Sequence, residues 1–106
     1  MSRKIPKKVR INRTTYQVKS VHSFKTCKLG EIDHNERQIT LARNVRYGSA
    51  AIDKKVFRLS KEEQWETYWH EIVHGILRDM RRHDLNNERF VNAFCLRLYS
   101  VLKGAI

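Results

Sequence analysis

Very little in this chain breaks its backbone. Its 106 residues include one proline, Pro6, and four glycines, which leaves no room for a long flexible linker and predicts a single domain over residues 1–106. Cysteine is equally scarce. Cys27 and Cys95 cannot make a disulfide framework, so reduced thiols in a cytoplasmic protein are expected. No apolar run approaches the roughly 18 residues of a membrane helix, and no membrane partner is expected. The basic start, Met1 to Lys8, is followed by no hydrophobic segment, so no secretory signal is predicted and residues 1–8 read as a loose basic arm. Acidic residues are missing from residues 1–28, where nine Lys or Arg stand without an Asp or Glu. The remaining residues hold thirteen Lys or Arg against eleven Asp or Glu, so most of the net charge of +11 belongs to the first quarter of the chain. Such a segment suits nucleic acid or an acidic protein, and equally a solvated strand face.

Apolar residues at 41% and charged residues at 31% are ordinary for a globular domain. Val9, Ile11, Tyr16 and Val18 alternate with polar residues, and Asn12-Arg13-Thr14 predicts the turn of a first hairpin. Residues 29–33 and 38–42 predict a second, turned by His34 to Arg37. The expectation is a small antiparallel sheet of about four strands. Residues 43–57, with Gly48-Ser49-Ala50-Ala51, show no clear period and read as a loop with at most a helical turn.

Beyond this point the pattern sharpens. Ser60-Lys61-Glu62-Glu63 has capping-box spacing, and Trp65, Tyr68, Trp69, Ile72, Val73, Ile76, Leu77 and Met80 recur at three and four. They predict a long amphipathic helix ending near Arg81-Arg82-His83. Asp84 to Asn87 read as the turn capping a second helix, whose stripe is Phe90, Val91, Phe94, Cys95, Leu98, Val101 and Leu102. The short connection predicts antiparallel packing, and the whole is an α+β fold.

The first helix carries His70-Glu71-Ile72-Val73-His74, an H-E-x-x-H motif. Residues four apart differ by about 40° around a helix axis, so both imidazoles point the same way and can share one Zn2+. Glu71 lies about 60° beyond His74, within reach of a water on that metal, whose pKa zinc lowers to about 7. Both histidines border the apolar stripe, where a half-buried site belongs, and Gly75 leaves room for close packing or for substrate. A third ligand is expected, and the candidates are Asp79, His83, Asp84 and Glu88. Asp79 points about 140° away from His74. Glu88 borders the second stripe as the histidines border the first, which favours it over His83. Tyr47, Tyr68 and His83 stay open as oxyanion partners, and Asn92 as a support for the ligands. Trp65, Trp69 and Cys95 read as core, while His22 and His34 read as satisfied or exposed imidazoles.

Read together, Leu29-Gly30-Glu31-Ile32-Asp33, His70-Glu71-Ile72-Val73-His74-Gly75-Ile76 and Asn87-Glu88-Arg89-Phe90-Val91 resemble the small ImmA/IrrE-like, gluzincin-type metallopeptidase domains of phages and mobile elements. The resemblance implies a zincin-like core with zinc on His70, His74 and Glu88, and Glu71 as general base. It implies that Gln38-Ile39-Thr40-Leu41-Ala42 is the strand beside the cleft, pairing with an extended protein or peptide substrate. Larger relatives carry a DNA-binding or regulatory domain and act on repressor-like proteins. A zinc-stabilised, non-catalytic module that binds nucleic acid or protein through residues 1–28 is the competing expectation.

Overall fold

The structure is a computed structural model, and it describes residues 4–47 and 55–105. The first hairpin pairs β1 (Lys8–Ile11) with β2 (Thr14–Val21) across a turn of two residues, Asn12 and Arg13. Asn12 takes a left-handed φ of 54°, which a short polar side chain tolerates. The second hairpin pairs β3 (Gly30–Asp33) with β4 (Gln38–Ala42). Its turn is held by the Asp33 carboxylate, which accepts the backbone N–H of Asn35 and of Glu36 at 3.0 Å each.

Both hairpins lie where the period-two pattern puts them, but they do not join as a purely antiparallel sheet. The order is β1-β2-β4-β3, with β2 and β4 parallel and Val18 opposite Ile39. The sheet is therefore mixed. It also corrects the expectation for Gln38 to Ala42, because β4 is hydrogen-bonded on both sides and has no free edge to offer a peptide. Composition explains the exchange. Ile39, Thr40, Leu41 and Ala42 are all buried, as suits a central strand, whereas the polar Glu31 and Asp33 suit the exposed edge.

Residues 43–57 contain structure that their lack of period concealed. β5 (Asn44–Tyr47) and β6 (Lys55–Arg58) form a two-stranded antiparallel sheet, and Val45 packs with Ala42 and Leu59 in a small cluster. Gly48 to Ala51 lie outside the described residues.

Helix α1 (Lys61–Asp79) begins with the capping box that Ser60 and Glu63 predict, both bonds being 3.0 Å. It stops two residues before Arg81. Arg81 adopts φ 58°, which lets its N–H reach Arg78 O and the N–H of Arg82 reach Leu77 O, both at 2.9 Å. Asn87 caps α2 (Glu88–Ala105), its Oδ1 accepting the N–H of Phe90 at 2.9 Å. Lys103 near the end of α2 pairs with Glu62 at the start of α1, so the helices are antiparallel.

The main core lies between the sheet and the helices, formed by Ile11, Tyr16, Ile39, Leu41, Trp65, Tyr68, Ile72 and Tyr99. A second cluster, Val73, Leu77, Val91 and Cys95, fills the space between the helices. Ile39 and Val91 are wholly buried, and each contributes roughly 1.5–3 kcal/mol of apolar transfer. The predicted stripes are wider than this core, since Ile76, Met80, Phe94 and Val101 remain exposed.

Two glycines let α1 approach the sheet. A Cβ on Gly75 would lie 2.7 Å from Ile11 Cδ1, so this residue serves close packing against β1 and β3, not substrate entry. A Cβ on Gly30 would lie 2.6 Å from Thr67 Cγ2 and 3.2 Å from Thr40 O. Neither of those atoms ends a flexible side chain. Gly30→Ala is expected to cost about 1–3 kcal/mol, read as a lower urea midpoint with an unchanged slope.

Candidate metal centre

Between β3 and the two helices runs a groove of about 790 Å³. Its floor is the α1 face carrying His70, Glu71 and His74, and its far wall is the start of α2. The capping of α2 at Asn87 makes Glu88 the first helical residue, set opposite the histidines. His74 Nε2 lies 3.1 Å from His70 Nε2 and 2.8 Å from Glu88 Oε1, and His70 Nε2 lies 3.2 Å from Glu88 Oε2. The donor atoms of these three residues all lie within 4.8 Å of one another.

This spacing can be compared with what a metal needs. Ligand bonds of about 2.0–2.1 Å in a tetrahedron put neighbouring donors about 3.3 Å apart, close to the separations found. The donor chemistry agrees. Asn86 Oδ1 lies 2.6 Å from His74 Nδ1. An amide oxygen only accepts, so Nδ1 carries the proton and Nε2 turns a lone pair toward His70 and Glu88. Burial holds His70 below the ordinary imidazole range, against the pull of Glu88, which favours the neutral, ligating form. Imidazole lone pairs and a carboxylate converge favourably only on a cation, either a proton or a metal ion.

Asn86 is the residue that the reading of the sequence missed. It lies in the turn between the helices, and no spacing marks it out. If it fixes the His74 tautomer, Asn86→Ala is expected to weaken zinc affinity by about 10–100-fold in a competition titration with a chromophoric chelator.

Glu71 is 7% exposed and lines the groove. Desolvation raises its carboxyl to about 7, the nearby Glu88 adds to the rise, and His74 opposes it. Among the described residues its carboxylate makes no hydrogen bond, so its proton-accepting oxygens are free for whatever enters the groove.

The near wall is β3. Leu29 O accepts the N–H of Ala42 at 2.9 Å, and the register then alternates, so Glu31 and Asp33 also bond to β4. The main-chain groups of Gly30 and Ile32 consequently face the open edge of the sheet. β3, not β4, is the strand beside the groove.

The other candidates lie elsewhere. Asp79 accepts from Asn12 at 3.2 Å, and Asp84 is tied to Arg82 at 2.8 Å, which holds its carboxyl at about 2. His83 is exposed and outside the group formed by His70, His74 and Glu88. Tyr68 is in the core, and the Tyr47 side chain lies outside the described residues. Trp65 and Cys95 are buried as expected, and Trp69 is half-buried between the two clusters. The His22 ring meets Ser23 Oγ at 3.2 Å, away from the groove residues. Asn92 lines the groove without supporting a histidine. His34 also lines it, with Nδ1 3.1 Å from the hydroxyl of buried Tyr16. That hydroxyl fixes the ring by one nitrogen, and the other makes no hydrogen bond among the described residues. No protein-family model, curated protein or solved structure matches the chain.

Proposed function

We propose that this protein is a zinc-dependent peptidase acting on an extended segment of a protein or peptide. The observation that carries the reading is the convergence of His70, His74 and Glu88 donor atoms within 4.8 Å, beside the buried, unpaired carboxylate of Glu71. The resemblance of residues 29–33, 70–76 and 87–91 to ImmA/IrrE-like metallopeptidases supports it.

In this reading His70, His74 and Glu88 hold the metal. A zinc ion bound there supplies a Lewis acid that polarises a carbonyl and lowers the pKa of water to about 7. Every other element belongs to the chain. Asn86 keeps the Nε2 of His74 unprotonated and aimed. Glu71 accepts the proton of the attacking water and can return it to the leaving amine, a role that a carboxyl raised to about 7 suits near neutral pH. The free main-chain groups of Gly30 and Ile32 pair with an extended substrate as an added strand, which lays its peptide bonds along the groove.

The test is cleavage of a complex peptide mixture, prepared by digesting unfolded protein, with new termini read by mass spectrometry. Zinc-loaded protein is expected to produce new termini. 1,10-Phenanthroline should abolish them, and about one equivalent of zinc should restore them. Cleavage indifferent to the chelator, or none by the zinc-loaded protein, would sink the reading.

A further inference from the structure

The groove faces one side of the sheet, and the charge that dominates this protein faces the other. Val9, Ile11, Tyr16 and Val18 turn toward α1 and the core. The strand period of two therefore sets Lys8, Arg10, Thr15, Gln17 and Lys19 on the opposite face, and all five are exposed. The side chains of Lys8 and Lys19 have neither an ion pair nor a hydrogen bond among the described residues. Arg10 uses only Nε, donating to Asn12 O at 2.9 Å. Glu66, Glu71 and Glu88 line the groove, while Glu31 and Asp33 on the edge strand β3 share the outer face in register with Lys19 and Gln17. Glu31 is paired with Lys28 at 2.8 Å, and Asp33 accepts its own turn's N–H groups. Lys8 on β1 stands three strand spacings from Asp33, about 14 Å, and Lys19 on β2 stands two from Glu31, about 10 Å, against a Debye length of about 10 Å at 0.1 M salt.

We propose that the outer face of β1 and β2 is a binding surface for double-stranded nucleic acid, which it holds by the phosphate backbone through Lys8, Arg10 and Lys19. Three cations on adjacent strands, with hydrogen-bonding neighbours at Thr15 and Gln17, are what a phosphate track requires. The face carries no aromatic side chain on which an unpaired base could stack, which favours the duplex over a single strand. Contacts to the phosphate backbone alone predict binding indifferent to base sequence. This surface is independent of the metal centre.

The experiment is fluorescence anisotropy of the whole chain with a fluorescein-labelled duplex of about 20 base pairs, from about 50 to 200 mM salt. Two triple variants of equal charge change are compared, Lys8→Gln/Arg10→Gln/Lys19→Gln on the sheet and Arg81→Gln/Arg89→Gln/Arg97→Gln on exposed parts of the helical side. The sheet triple is expected to lose affinity at least about tenfold and to flatten the log–log salt slope by about 2.7, from three phosphate contacts. The helix triple should stay within about twofold. Lys19→Glu alone serves as a second variant and should bind more weakly than Lys19→Gln. Equal weakening by both triples would reduce the effect to net charge and overturn the proposal. So would no binding at the lowest salt, tighter binding to a single strand of the same length, or binding to phosphatidylglycerol vesicles without binding to the duplex.

Discussion

Glu71→Gln is expected to keep about one zinc per chain and to lower peptide hydrolysis by about 10²–10⁴-fold, the range that a positioned general base contributes. The amide preserves shape but cannot accept the proton of the attacking water. The same substitution should have a second, opposite effect on the metal-free protein. The Glu71 carboxyl is raised from 4.5 to about 7 by burial. Between those values the unfolded chain ionises while the folded chain must hold the proton, so stability falls as pH rises from about 4.5 and the loss is complete above about 7. Removing the carboxyl should therefore stabilise metal-free protein at pH 8 by about 2–3 kcal/mol, with almost no difference at pH 4. Thermal melts at the two pH values check this. A variant no more stable than wild type at pH 8 would mean that water reaches Glu71 freely. The expected pair of results, lower activity with higher stability, is what a strained functional site predicts.

His74→Ala is expected to reduce bound zinc from about one per chain to below detection by elemental analysis, because two ligands do not make a zinc site. His74 is the hub of the group, touching His70, Glu88 and Asn86. Glu88→Ala should lose most of the zinc as well. His83→Ala should lose none, since His83 is exposed and outside the group. Zinc retained by Glu88→Ala and lost by His83→Ala would transfer the third position to His83 and require a different turn between the helices.

What was legible in the sequence was local. The shared side of His70 and His74 follows from helical geometry once the stripe from Trp65 to Leu77 establishes the helix. The capping box at Ser60, the Asn87 cap and both hairpin turns depend on neighbours within a few residues, and all of them stand in the structure. The short β5–β6 pair escaped notice because strands of four residues are too short to establish a period.

Tertiary structure decided whatever depends on which surface meets which. The amino-acid order alone determines that Gln38 to Ala42 is a strand, but not that it takes the centre. Its position follows from competition between strands for the buried place, won by the most apolar one, and that left Gly30 and Ile32 on the open edge. Glu88 was preferred on periodicity, yet its approach to His70 and His74 rests on how tightly the turn through residues 80–87 folds α2 back along α1. Asn86 and the burial of Glu71 exist only because of that packing. Proton affinity and tautomer are set by what surrounds a group in space, and the surroundings of Glu71 and His74 come from segments far away in the chain.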